Sequence, residues 1–449
     1  MKIQLRNWSC EILMLSIYKY FFEFIYLQRY MKIFSYAYSN YFYRFDSNKW
    51  LISIMLFLLF GFALLFTRNS DNPMYSYLIR FVYTVCLIPM LSVYAFFDGI
   101  SMGIIIYPVL FFAIFVYMLK RYAHKSIQEE KQIIRMPKIL HINSILLITC
   151  AVIAIGIWVM SGRPVFFDLS YALEQRLQLR VNAMPKIISY LFAFLGSTIF
   201  PYLFAKYIDE KKYLCSVVCF VCGILLFFVN GMKTWLFLYV FFFGILFIIK
   251  IGKEKPYRTY LLFDSMMLLL IVFSVFAYDY FNIKDIISQM ARVTVIPNDI
   301  GFTFVSFFKK TSNPYLFLRE SVFRNFFESP YAGGSDFFVN YGANASVSSA
   351  RANNGLWGDA YRNFGVVGII IYPFLIAKMF NIVEINSRHM KSSLRLFSLF
   401  MLLWGAINNS FFTWLLTGGV FVIIILEKID RSNNDGNAIE KNHKVVFKS

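Results

Sequence analysis

The sequence predicts an all-α, polytopic membrane protein of 11–12 transmembrane helices with two enlarged outer loops. Three observations predict it. Of 449 residues, 59% are hydrophobic and 15% are charged, against about 45–50% and about 25% in soluble domains. The excess falls in runs, such as 50–67 and 234–250, that carry no charge until their ends, and apolar runs of about 18 residues or more read as membrane spans. The net charge of +19 is distributed by topology, as shown below. A soluble enzyme, a disordered chain and a disulfide scaffold do not fit this composition.

Taken in order, the first apolar stretch is 11–28, interrupted by Glu11, Lys19 and Glu23. It reads either as a twelfth span or as an amphipathic helix in the interface, and it is too long and too charged at its centre for a cleavable signal peptide. Eleven clearer spans follow, at about 50–67, 77–97, 100–119, 140–160, 187–205, 213–230, 234–250, 259–277, 362–380, 394–408 and 411–427. They make residues 1–427 one integral membrane domain and leave 428–449 as a polar tail without structure of its own. Placing the basic segment 120–139 in the cytoplasm fixes every other loop by alternation. With both termini cytoplasmic, the inner segments then hold 26 Lys and Arg, and the outer ones hold 9 once the long loop 278–361 and Arg362 at its edge are set aside. Long translocated loops escape the positive-inside rule. Most of the basic charge is therefore a topology signal and not a nucleic-acid footprint. The six cysteines fall in no outer segment, so no disulfide framework is expected.

Two outer segments are long enough to carry function, 161–186 and 278–361, the latter of 84 residues. The larger is rich in aromatics, unlike disordered chain. Short helices are expected at 285–296 and 315–328, broken by Pro297, Pro314 and Pro330. The Gly-, Ser-, Ala- and Asn-rich stretch 332–355 reads as a ligand-closing segment.

The four histidines, His124, His141, His389 and His443, all fall at inner positions. An outer active site would then rely on a carboxylate, or on electrostatics and positioning alone. No Walker loop, HExxH or GxSxG occurs, and no metal-ligand spacing, so neither a metal nor another cofactor is expected. The outer cations are the second resource. Arg176 and Arg180 are four apart and share a helix face, Arg163 precedes them, Lys233 sits in a short turn, and Arg319, Arg324 and Arg351 lie in the large loop. Arginine matches phosphate with two parallel hydrogen bonds, so these residues would hold either a lipid-linked diphosphate or lipid headgroups. The third feature is Gly358-Asp359-Ala360-Tyr361-Arg362-Asn363-Phe364-Gly365 at the mouth of a late span. Its carboxylate is either a working group flanked by glycines that admit close backbone approach, or an acid favourable to a helix N-terminus.

Three pieces together resemble the Wzy-type O-antigen and capsule repeat-unit polymerases of bacteria. GDAYRNFGVVGIIIYPF resembles the family's acid-x-Tyr-x-Asn-Phe-Gly motif, with Asp359 where Glu is common. FVNGMKTWLFLY resembles its small-residue-then-Arg turn, with Lys233 in place of Arg. SGRPVFFDLSYALEQRLQLR resembles its Arg-containing first periplasmic loop. The resemblance implies a membrane glycosyltransferase fold of the GT-C type in the bacterial inner membrane. It implies transfer of the growing glycan from undecaprenyl pyrophosphate to the non-reducing end of a new lipid-linked repeat. Asp359 would orient or deprotonate the acceptor hydroxyl. Arg163, Arg176, Arg180, Lys233, Arg319, Arg324 and Arg351, with Tyr361, Arg362 and Asn363, would bind diphosphate and glycan. Its partners would be the undecaprenyl-pyrophosphate-linked oligosaccharide, a chain-length regulator, the repeat-unit flippase and the lipid bilayer, and no nucleic acid. Two rivals remain: an O-antigen ligase, which usually needs an outer histidine, and a repeat-unit flippase, which carries charge within its helices and has short outer loops.

Overall fold

The computed structural model describes residues 2–34, 43–67, 72–125, 142–162, 164–165, 185–252, 255–310, 315–319, 326–328, 331, 355–416 and 418–431. Among them the only β-type pairing is one isolated bridge, Tyr43 with Phe97. Eight helices are long and apolar enough to cross a membrane, and three shorter apolar helices bring every one of the eleven apolar runs into a helix. In chain order these are α2 (Ser47–Ala63), α3 (Pro73–Phe96), α4 (Met102–His124), α5 (Ser144–Met160), α6 (Ile187–Asp209), α7 (Tyr213–Asn230), α8 (Lys233–Gly252), α9 (Tyr257–Phe281), α12 (Leu356–Ser387), α13 (Ser392–Asn408) and α14 (Phe411–Arg431). They are joined by α1 (2–34, with a π-helical stretch at Phe22–Tyr26), α10 (Lys284–Thr294) and α11 (Ile296–Lys310).

The helix starts follow local chemistry. The Asp46 carboxylate accepts the Asn48 and Lys49 N–H groups at 3.0 and 3.1 Å and caps α2. Asn72 does the same for α3 by accepting from Met74 N–H at 3.0 Å, with Pro73 in the first turn.

The chain divides into two compact units: 1–125 with 250–378 and 403–413, and 126–249 with 379–402 and 414–449. In the first unit α3 is central. Every residue from 74 to 96 is buried, and α1, α2, α4, α9 and α11 pack against it. The stretch 11–28 lies in α1, which is not among the helices apolar enough to cross a membrane but packs within the unit, its charges partnered. Arg80 Nε donates to Glu11 Oε1 at 2.5 Å. Lys19 donates to Glu23 and, at 2.9 Å, to Ser53 Oγ. Glu23 also accepts from Ser92 Oγ at 3.0 Å and from Trp50 Nε1 at 3.2 Å. Buried charge survives only when paired in this way.

One expectation for the large loop is met and one is corrected. The helix expected at 285–296 is formed as α10, Lys284–Thr294, and the break falls at Val295, just before Pro297. Pro297 stands in the first turn of α11, where its missing N–H costs nothing. The expected helix at 315–328 is not formed in its described residues: 315–316 have no regular structure, 317–319 turn, and Phe317 and Leu318 have positive φ.

In the second unit α7 packs on α5 and α6. The Trp235 ring fills the notch left by Gly196, where an added Cβ would lie 2.3 Å from the ring carbons. Phe192 holds that ring from the side, centroids 5.0 Å apart. Gly196→Ala is therefore expected to cost about 1–3 kcal/mol by overpacking, read as a lowered thermal midpoint in tryptophan fluorescence. The tail also begins later than 428. Helix continues to Arg431, and Asp430 is buried, accepting from Lys206 and from the Tyr202 hydroxyl at 2.8 Å.

Candidate functional site

The motif 358–365 forms the start of α12 in the first unit. Its glycines have separate tasks. Gly358 meets α11 directly, with an added Cβ lying 3.0 Å from Gly301 Cα. The Trp357 ring lies across Gly301, and its Nε1 donates to Asn298 Oδ1 at 3.1 Å. Gly365 interrupts the helix. Its φ of 57° and ψ of −136° belong to a region open essentially to glycine alone.

A helix broken at Gly365 strands the carbonyls just before it. The turn at 316–318 supplies the missing donors. Leu316 N–H donates to Arg362 O at 3.0 Å and Phe317 N–H to Asn363 O at 3.2 Å. Leu318 N–H donates to Asn363 Oδ1 at 3.0 Å. The positive φ at Phe317 and Leu318 turns three successive N–H groups toward α12. The Tyr315 ring closes over Gly365, whose added Cβ would fall 2.6 Å from it.

Inside this frame lies the Asp359 carboxylate, 2% exposed. Its Oδ1 accepts from Arg362 Nε at 2.9 Å and from Asn363 Nδ2 at 3.1 Å. Its Oδ2 accepts from the Phe411 N–H at 2.8 Å, which ties the start of α14 to α12. Asn363 Nδ2 also donates to Asp359 O at 2.9 Å. The Arg362 guanidinium lies over the Phe304 ring, 5.4 Å from its centroid. The Tyr361 ring meets Tyr107 at a tilt and Tyr315 edge-on, centroids 5.0 and 6.0 Å away.

Of the residues the sequence singles out, the structure brings together Asp359, Tyr361, Arg362 and Asn363. Arg319 follows directly on the capping turn, its N–H donating to Leu316 O at 2.9 Å, and its side chain is half-buried. Lys233 opens α8 in the second unit, just after Gly231 closes α7 in a left-handed conformation. Arg163, Arg176, Arg180, Arg324 and Arg351 lie outside the described residues. Sequence reasoning missed Gly301, Phe304, the 316–318 turn and the Phe411 N–H. Of these only Gly301, a lone glycine within a helical stretch, left a trace in the sequence.

Asp359 is no simple helix-end charge, because its partners come from α12 and α14 together. Its carboxylate is enclosed, with Oδ1 accepting from two fixed donors and Oδ2 from one. What the geometry gives it is a positioning role: it locks the direction in which α12 leaves the break.

Gly365→Ala tests the break itself. It combines a side chain in the glycine-only region, about 1–3 kcal/mol, with a clash against Tyr315. A loss of that order in unfolding free energy is expected. Gly368→Ala, three residues on in the regular helix, is not a neutral control, because its Cβ would fall 2.0 Å from Ala360 O. Val366→Ala, at an exposed position, serves as the control.

No protein-family model, curated protein or solved structure matches the chain.

Proposed function

We propose that the chain is a polymerase of lipid-linked oligosaccharide repeat units in the bacterial inner membrane, working at the outer face. It transfers the growing glycan from undecaprenyl pyrophosphate to the non-reducing end of a new lipid-linked repeat. The observation that carries this reading is the motif 358–365. Its polar residues and both of its glycines have specific tasks at the break in α12.

In the proposed reaction the bond from the donor sugar's anomeric carbon to the diphosphate oxygen breaks. The acceptor hydroxyl oxygen bonds to that carbon, its proton goes to solvent, and undecaprenyl pyrophosphate leaves. With Asp359 committed to the fold, the work falls on cations that stabilise the departing diphosphate. Arg163, Arg176, Arg180, Lys233, Arg319, Arg324 and Arg351 are the candidates. Asp359, Arg362 and Asn363 set the backbone that presents Arg319.

A second reading, the repeat-unit flippase, gains from one observation. The helix interiors of the first unit hold Glu11, Lys19, Glu23, Arg80 and Asp264, so charge within the helices, which the apolar runs conceal, is present after all. The gel pattern of surface polysaccharide from a strain lacking the gene separates the readings. Loss of the ladder with a single repeat left on its acceptor supports the polymerase. Loss of all decoration with polymer retained on undecaprenyl pyrophosphate points to a ligase. Single repeats trapped at the cytoplasmic face point to the flippase.

A further inference from the structure

The junction of α1, α3 and α9 holds a carboxylate that neither the motif nor the outer arginines explain. Asp264, on α9, is 1% exposed. Its Oδ1 accepts from the Thr84 hydroxyl at 3.1 Å, while its Oδ2 is buried without a hydrogen-bond partner. The surroundings are built in register. Arg80 and Thr84 are one turn apart on α3, and Tyr260 and Asp264 are one turn apart on α9, so each pair shares a face. The Arg80 guanidinium stacks on the Tyr260 ring at 3.6 Å, and Thr84 meets Asp264 one turn further on. From α1, Glu11 pairs with Arg80, and Tyr18, two turns along the same face, has a fully buried hydroxyl that also lacks a partner.

The groups acting on Asp264 electrostatically are Glu11 and Tyr18 of α1 and Arg80 and Tyr83 of α3. Tyr83 is committed, donating to Phe57 O at 2.5 Å. The charge count does not close. Arg80 at this junction is paired with Glu11, and Asp264 has no ion pair of its own. An unmatched ionised carboxylate in a dry interior is expensive, and charged residues inside membrane helices mark ion and proton paths.

We propose that this junction is a proton-binding site, with the proton carried on Oδ2 of Asp264. The step is a simple protonation: carboxylate plus proton gives carboxylic acid, and the junction becomes neutral. It stands apart from the glycan site and does not depend on the polymerase reading.

The test is infrared difference spectroscopy of the full-length protein in sodium-free lipid nanodiscs, scanned across pH. The wild type is expected to show a protonated-carboxyl band at neutral pH that Asp264→Asn lacks. Thr84→Val, which removes the hydrogen bond to Oδ1 and keeps the carboxyl, is expected to move that band to higher frequency. This second variant carries the assignment if Asp264→Asn does not fold. Identical bands in wild type and both variants would overturn the proposal. So would a band lost on adding sodium together with a raised thermal midpoint, which would assign the site to an alkali cation.

Discussion

Asp359→Ala is expected to lower the unfolding free energy by roughly 3–5 kcal/mol, the usual result of removing one partner from a buried ion pair. Arg362 loses the oxygen that its Nε meets at 2.9 Å, and the Phe411 N–H loses its acceptor at 2.8 Å. Asn363 Nδ2 loses one of its acceptors as well, and the link from α12 to α14 is cut. A cycle with Arg362→Met separates the pair from its surroundings. The double variant should cost less than the two singles combined, by about 0.5–3 kcal/mol, because no uncompensated charge remains. Asp359→Asn discriminates between roles. If the carboxylate were a general base, this variant would fold normally and make no polymer. As a positioning residue, its loss of polymer length should track its loss of stability. Denaturant melts and polysaccharide gels on the same samples read both quantities.

Arg80→Ala is expected to be of similar severity, again roughly 3–5 kcal/mol. It removes the guanidinium that pairs with Glu11, itself 0% exposed. The same guanidinium stacks 3.6 Å from the Tyr260 centroid, a contact type worth up to about 2 kcal/mol when desolvated. Arg80→Lys should recover only part of the loss, because an ammonium can replace the charge but not the planar stack. Glu11→Gln in the Arg80→Ala background should restore stability relative to Arg80→Ala alone, since the buried carboxylate that Arg80 compensates is then neutral. Thermal unfolding of the four proteins in one detergent gives the comparison.

The membrane helices were legible because apolar runs need no tertiary partner to be recognised. All eleven runs are helices in the structure. The place of α1 was not legible, because Glu11, Lys19 and Glu23 look disqualifying until Arg80, Ser53, Ser92 and Trp50 supply their partners, and those lie far along the chain. At 315–328 the aromatic pattern suggested a helix, but residues 316–318 are held in a turn by the open carbonyls of Arg362 and Asn363, an attraction no local propensity contains. In the motif, the glycines were read correctly as sites of close approach, since Gly358 meets Gly301 and Gly365 meets Tyr315. The setting of Asp359 was not legible, because the Phe411 N–H that fixes its second oxygen is a backbone group and leaves no mark in the sequence. Asp264 drew no attention for a related reason: its meaning lies in a charge count across three helices.

The central claim is that this membrane protein joins lipid-linked oligosaccharides. The most direct measurement is polymerisation by the purified full-length protein in liposomes supplied only with undecaprenyl-pyrophosphate-linked single repeats. The account predicts a ladder of lipid-linked glycans and release of undecaprenyl pyrophosphate, with both products diminished in parallel by Asp359→Ala. Single repeats that remain unjoined, while crossing from one leaflet to the other, would contradict it and identify a transporter.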